Sequence, residues 1–176
     1  MTSEKTSTGK IRILIADDHA VVRDGTRQIL EQEKDMDVVA EAADGAEAIK
    51  LAGTTKPDVA IIDIAMPGVD GIEATKRIKS LYPTVAVLIL SAYDDDQFIF
   101  SLLEAGAAGY LLKSVRGREL IEAVRQVHAG ESVLHPAIAR KVLNRFVPGT
   151  GKATSQKSTE VLSDREIEVL KYATRG

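Results

Sequence analysis

Five short apolar segments, separated by longer amphipathic stretches, constrain the fold of this chain more than any other feature. All but the second lack alternation of polar and apolar residues, which is typical of parallel strands buried on both faces. The sequence therefore predicts an α/β fold, a doubly wound five-stranded parallel sheet, over roughly residues 10–130. The segments are IRILIA (11–16), MDVVAEA (36–42), VAIID (59–63), AVLILS (86–91) and GYLLK (109–113).

The stretches between these segments have the spacing of helices that bury one side. In residues 116–129, for example, Leu120, Val124 and Val127 recur at helical intervals. Glycine and proline fall where strands and helices should meet, as at Pro67-Gly68. The pattern of strand then helix repeats five times.

Beyond the predicted sheet the chain changes character. Residues 131–146 form a connecting segment with a short amphipathic helix, and residues 147–160 are small and polar, which predicts a flexible linker. Residues 161–176 begin with the capping-box pair Ser163 and Glu166, which predicts one helix. One helix cannot bury its apolar side alone, so we expect a fragment of a longer chain with a truncated output domain.

Charge and hydropathy limit the class of protein. No apolar run approaches the roughly 18 residues of a membrane span, and the N-terminus lacks the apolar core of a secretory signal. We therefore expect a soluble cytoplasmic protein without membrane contact. Residues 1–135 carry a net charge of −7 and residues 136–176 a net charge of +4, which favours an anionic partner for the tail.

Polar residues end four of the predicted strands: Asp17 and Asp18, Asp63, Ser91, and Lys113. Because parallel strands end at the same edge of a sheet, these side chains should converge there. Three converging carboxylates either hold protons or bind a hard divalent cation. The three histidines show no ligand spacing, and oxygen ligands favour Mg²⁺ over zinc. A metal, a carboxylate nucleophile, a cation and a hydroxyl are what phosphoryl transfer requires.

Each of these residues also has a structural interpretation. Asp17 and Asp18 could cap the first helix, and Asp63 could be a turn residue before Pro67-Gly68. Lys113 could be a solvated lysine and Ser91 a strand end. The acidic run at 94–96 is interpreted as a solvated loop and as the cap of the fourth helix.

This constellation resembles the receiver domain of two-component response regulators over residues 10–130. The resemblance implies strand order 2-1-3-4-5 and a phosphoacceptor at Asp63, which takes its phosphoryl group from a sensor histidine kinase. It implies Mg²⁺ held by Asp18, Asp63 and the backbone carbonyl of Ala65, with Asp17 acting through water. It also implies that Lys113 binds the phosphoryl group.

The resemblance further implies a switch at Ser91 and Tyr110. Ser91 would hydrogen-bond the phosphoryl group, and Tyr110 matches an aromatic residue that turns inward when the hydroxyl moves. Two positions depart from the broad pattern: serine stands at 91 where threonine is commoner, and Ser114 follows the lysine where many receivers have a proline after a cis bond. Tyr110 could equally be a core aromatic residue.

The segment Leu162–Leu170 resembles the first helix of a LuxR-type helix-turn-helix, so the whole chain resembles a NarL/FixJ-type response regulator. This implies control of promoter DNA through the missing output domain, with no DNA-binding residue in this chain. Phosphorylation would either unmask that domain or drive a homodimer. The protein would be no enzyme beyond self-phosphorylation and slow autodephosphorylation.

Two other functions are weighed against this one. A stand-alone receiver or phosphotransfer module, acting through protein–protein contacts, would need no helix after the linker. A phosphatase of the haloacid-dehalogenase type would place a D-x-D motif after the first strand, and Asp17-Asp18-His19 does not fit that motif.

Overall fold

The computed structural model describes residues 9–146; the predicted linker at 147–160 and helix at 161–176 lie outside the described residues. Within that range six strands alternate with six helices. The strands are β1 (Ile11–Ala16), β2 (Met36–Ala42), β3 (Val59–Ile62), β4 (Ala86–Ser91), β5 (Gly109–Leu112) and β6 (Val133–Leu134). The helices are α1 (Ala20–Glu31), α2 (Gly45–Thr55), α3 (Gly71–Leu81), α4 (Asp96–Ala105), α5 (Gly117–His128) and α6 (Pro136–Phe146).

The strands form one parallel sheet in the order β2-β1-β3-β4-β5-β6. This order confirms the predicted fold class and the order 2-1-3-4-5, and it adds a sixth strand. Two residues are too short a run to be recognised as a strand from the sequence. The polar residues of β2 are compatible with its place at the sheet edge, where Asp37 is exposed and Val38 to Glu41 are half-buried.

The helices bury the two faces of the sheet in separate apolar clusters. Leu30 of α1 and Val124 of α5 belong to the cluster on one face. Ala52 of α2, Ile78 of α3 and Leu102 of α4 belong to the cluster on the other face, together with residues of α6. No helix among residues 9–146 is long and apolar enough to cross a bilayer.

Backbone hydrogen bonds continue the ladder one residue past three of the strands. The amide of Asp17 donates to Ala42 at 3.0 Å, that of Asp63 to Ala16 at 2.9 Å, and that of Lys113 to Ser91 at 2.8 Å. The backbone of the first residue after each of these three strands is therefore hydrogen-bonded to the neighbouring strand. Its side chain starts from a defined position at the carboxyl edge.

Aspartate side chains cap two helices, and a third aspartate stands at the N-cap of α4, where we expected the acidic run to lie. Asp44 accepts a hydrogen bond from the amide of Glu47 at 2.8 Å, and Asp70 accepts one from Glu73 at 2.9 Å. Asp95 occupies the N-cap position of α4 but makes no side-chain cap bond. The run is exposed and supplies the N-cap residue of α4, as expected, although the Asp95 side chain makes no bond there; Lys141 of α6 contacts Asp94 and Asp96 on either side of it.

Gly71 holds the loop after β3 against the start of α3. Its amide donates to the carbonyl of Ile64 at 2.8 Å. A Cβ atom at this position would lie 2.1 Å from the carbonyl oxygen of Asp63 and 2.7 Å from the Cα of Ile64. Only glycine allows this approach, so Gly71 determines where the backbone of Asp63 lies.

We expect Gly71→Ala to destabilise the protein by about 1–3 kcal/mol, because the added methyl group must displace the backbone of Asp63. Gly25→Ala is the matched control. Gly25 lies inside α1 with nothing within 4 Å of the added carbon. That substitution should stabilise the protein by roughly 0.5–1 kcal/mol. Urea unfolding of both variants measures the difference, and equal effects at the two glycines would contradict the packing argument.

Candidate functional site

The side chain of Lys113 joins two carboxylates at the carboxyl edge of the sheet. Its Nζ lies 2.9 Å from Oδ2 of Asp17 and 3.1 Å from Oδ2 of Asp63. Both carboxylates are almost fully buried, and the lysine side chain is 19% exposed. The residues that end β1, β3 and β5 thus meet in one ionic cluster, as their strand positions predicted.

Burial and charge act in opposite directions on these groups. Burial raises the pKa of the Asp63 carboxyl above its ordinary value; hydrogen bonding and charge from Lys113 lower it, but burial prevails. Burial alone would lower the pKa of the Lys113 ammonium, but hydrogen bonds to Asp17 and Asp63 outweigh it and raise that pKa. The lysine therefore stays charged, and the site contains a carboxylate whose negative charge is costly to bury.

A cluster of candidate metal ligands adjoins this ionic pair. The ligand atoms of Asp17, Asp18, His19 and Asp63 all lie within 4.8 Å of one another. His19 Nδ1 lies 3.0 Å from Oδ1 of Asp18 and 3.2 Å from Oδ1 of Asp17. The spacing of the histidines did not indicate His19, since only the turn between β1 and α1 brings its ring back over the two aspartates.

The structure does not support the interpretation of Asp17 and Asp18 as helix caps. The N-cap residue of α1 is His19, and α1 has no side-chain cap bond. Oδ1 of Asp17 accepts a hydrogen bond from the amide of His19 at 2.9 Å, and its Oδ2 faces Lys113. The side chains of these aspartates therefore belong to the acidic cluster and do not cap α1.

The backbone of Tyr93 connects the two predicted switch residues. Its amide donates to Oγ of Ser91 at 3.1 Å, and its carbonyl accepts from the Tyr110 hydroxyl at 2.6 Å. Ser91 and Tyr110 are both fully buried, and burial raises the pKa of the Tyr110 hydroxyl to about 12. The sequence did not indicate Tyr93, because its contribution comes from main-chain atoms. Here the loop after β4, residues 92–95, is called the β4–α4 loop.

Two further positions belong to the rim of the site. Ala65 is exposed in the loop after β3, two residues beyond Asp63. The peptide bond between Lys113 and Ser114 is trans, as is every peptide bond in the described chain. Serine at 114 is therefore compatible with the geometry that places Lys113 at the edge.

Comparison with known proteins agrees with this fold and site. The family model of the response regulator receiver domain matches residues 13–125. The oxygen regulatory protein NreC of Staphylococcus carnosus is 41% identical over 169 residues, which cover 94% of this chain and 78% of that protein.

Two solved structures extend the comparison. The LuxR-family two-component response regulator from Aurantimonas sp. SI85-9A1 has a TM-score of 0.74 and 38% identity, covering 77% of this chain and 97% of that chain. The receiver domain of the response regulator NarL from Mycobacterium tuberculosis has a TM-score of 0.67 and 37% identity. The match covers 69% of this chain and 98% of that chain.

The fold and the acidic edge with its lysine define a receiver domain. The chain belongs to the two-component response regulators of the NarL type. Its function is that of a signal-transduction regulator and not that of a classical enzyme, so the phosphatase alternative is set aside.

The raised pKa of Asp63 predicts a stability that depends on pH in the metal-free protein. In the native state the carboxyl keeps its proton above the ordinary value of 3.8, where the unfolded chain loses it. The resulting stabilisation is complete below pH 3.8 and is lost as pH rises through the folded-state pKa. We therefore expect Asp63→Asn to be more stable than wild type at pH 7 with a chelator present, by a margin that shrinks toward pH 4.

Urea unfolding at several pH values between 4 and 8 measures this margin. Asp37→Asn, which removes an exposed carboxylate from β2, controls for the change in surface charge. A loss of stability in Asp63→Asn at pH 7 would mean that the attraction of Lys113 outweighs the cost of burial.

Proposed function

We propose that Asp63 is the residue on which this response regulator is phosphorylated, by a sensor histidine kinase. The observation that carries the proposal is the contact of Lys113 Nζ with the carboxylates of both Asp63 and Asp17. It supports a site where a buried nucleophile lies beside a fixed positive charge. In the reaction an Oδ of Asp63 attacks phosphorus, the O–P bond forms as the P–N bond breaks, and the histidine nitrogen leaves with the electron pair.

The proposed role of Lys113 follows from its charge. The transferred group brings two negative charges close to Asp17 and Asp18, and the ammonium offsets part of that repulsion. Lys113 would move from the carboxylate of Asp63 to an oxygen of the phosphoryl group. Its raised pKa supports this role, since the lysine stays protonated throughout the physiological range.

A divalent cation fits the oxygen-rich cluster, and we propose that it is Mg²⁺. Asp18, Asp63 and the carbonyl of Ala65 would hold it, with Asp17 acting through water. When bound, the ion supplies positive charge next to the phosphoryl oxygens. The convergence of one carboxylate oxygen from each of Asp17, Asp18 and Asp63 within 4.8 Å supports this assignment.

Ser91 and Tyr110 are proposed to report the phosphorylated state. The Ser91 hydroxyl would donate to a phosphoryl oxygen, while its lone pair accepts from the amide of Tyr93. A movement of Ser91 would displace the backbone of Tyr93, and with it the carbonyl that accepts the hydrogen bond from the Tyr110 hydroxyl. The network would have two arrangements with different surfaces around α4, β5 and α5, which a partner can distinguish.

We further propose the domain organisation and the output. Residues 10–130 act as receiver, 131–146 as connecting segment and 147–160 as linker, and 161–176 begin a LuxR-type DNA-binding domain. Phosphorylation from small phosphodonors and slow autodephosphorylation belong to the receiver. Promoter DNA would be the target of the output domain, with a phosphorylation-dependent homodimer as one route of activation, in the cytoplasm.

Phosphorylation of Asp63 can be measured directly by intact mass after incubation with acetyl phosphate and Mg²⁺. We expect wild type to gain one phosphoryl group and Asp63→Ala to gain none, because the substitution removes the proposed nucleophile. A chelator should prevent the gain. An equal gain in Asp63→Ala would assign the phosphoryl group to another residue.

The role of Ser91 can be tested by rate. A hydrogen bond to a charged group contributes about 1.5–3 kcal/mol, so Ser91→Ala should slow phosphorylation roughly tenfold or more. Ser114→Ala, at an exposed serine next to Lys113, is the control and should keep the wild-type rate. Equal rates in the two variants would show that the Ser91 hydroxyl does not assist phosphorylation.

A further inference from the structure

Helix α6 packs on the receiver although it lies beyond residues 13–125, which the family model matches. Ile138 and Val142 are buried in the same apolar cluster as Ile99 and Leu102 of α4. The helix is therefore part of the core and not a detached connector. It is also the last described element before the chain continues toward residues 147–176.

The start of α6 is attached to the strand that carries Tyr110. Leu134 of β6 pairs with Tyr110 of β5, and the amide of His135 donates to the Tyr110 carbonyl at 2.9 Å. Nδ1 of His135 then accepts from the amide of Ala137 in the first turn of α6 at 3.2 Å. The backbone of Tyr110 and the first turn of α6 are thus joined through one residue.

The middle of α6 contacts the β4–α4 loop through Lys141. Its Nζ donates to the carbonyl oxygen of Asp94 at 2.5 Å and lies 3.1 Å from Oδ1 of Asp96. One turn later the guanidinium of Arg145 lies 3.9 Å above the ring of Phe100 in α4. Here the contacts of Lys141 with Asp94 and Asp96 are called the α6 clamp.

The α6 clamp holds the residue adjacent to Tyr93. Tyr93 accepts from Tyr110 and donates to Ser91, so the clamp restrains a backbone segment that hydrogen-bonds both switch residues. The loop is otherwise exposed from Ala92 to Asp95. A loop with so few buried side chains needs such a restraint if its carbonyl and amide groups are to keep their direction.

We propose that Lys141 is a positioning residue for phosphorylation: α6 holds the β4–α4 loop so that Ser91 and Tyr110 keep the arrangement that favours transfer to Asp63. The inference rests on the proposed function of Asp63 and adds an element outside the matched receiver region. Coupling of this kind is reciprocal. Movement of Ser91 toward a phosphoryl group changes the strength of the α6 clamp, and the change reaches the chain that follows α6.

A positioning role differs from a stabilising one in a measurable way. The partners of Lys141 are largely exposed, and exposed ion pairs contribute little to stability. Lys141→Met should therefore keep a urea midpoint close to wild type while it disturbs the loop. Arg140→Met removes the neighbouring positive charge from an exposed position of the same helix and is the matched control.

The test uses the full chain labelled with 3-fluorotyrosine, whose four tyrosines give separate fluorine NMR signals. Tyr110→Phe and Tyr93→Phe assign two of them. We expect Lys141→Met to shift or broaden the signals of Tyr110 and Tyr93, and Arg140→Met to leave them unchanged. Lys141→Arg, which keeps a cation that can donate to Asp94, should restore the wild-type spectrum.

The same variants are then phosphorylated with acetyl phosphate and Mg²⁺. We expect Lys141→Met to react about threefold to tenfold more slowly than wild type, with the rate recovered in Lys141→Arg. Wild-type signals and rate in Lys141→Met, or equal changes in Arg140→Met, would overturn the inference. Failure of wild type to react would refute the proposed function alone, because the NMR comparison needs no phosphoryl group.

Discussion

The contact of one ammonium group with two buried carboxylates is the interaction on which the rest of this site depends. Asp17 and Asp63 lie almost out of water, and Lys113 brings a positive charge within 3.1 Å of both carboxylates. The arrangement costs stability, as the raised pKa of Asp63 indicates. A chain selected for stability alone would place apolar residues there. In the proposed reaction, a phosphoryl group and a cation would replace these contacts.

The backbone supplies the precision that this charge cluster needs. The ladder bonds of Asp17, Asp63 and Lys113 fix where each side chain starts, and Gly71 fixes the loop that follows the proposed nucleophile. Rigid positions of this kind suit a group that must attack in line. The β4–α4 loop is different, since it is exposed and held by a few hydrogen bonds. A rigid centre next to an adjustable loop lets a local change in charge become a change in surface.

Under the proposal above, helix α6 couples the β4–α4 loop to the residues that follow the helix in the chain. The helix shares its core with α4, starts at the strand of Tyr110 and contacts the β4–α4 loop through Lys141. If Asp63 is phosphorylated as proposed, α6 offers a short route from the site to the segment that follows. The acidic run at 94–96, which we interpreted as a solvated loop and helix cap, also contacts this basic side chain.

The sequence by itself determined the sheet, its helices and the residues at the carboxyl edge, because hydrophobic periodicity and strand ends are local properties of the chain. Asp17, Asp63 and Lys113 could be identified in this way, since parallel strands must end together. Only the tertiary structure decided the pairing of β6, the return of His19 over the aspartates and the α6 clamp. The pairing of β6 and the α6 clamp join distant segments, and the packing of the helices, which leaves no periodic pattern in the sequence, selects their partners. His19 is a neighbour of Asp17 and Asp18 in the chain, and the conformation of the turn before α1 places its ring against them.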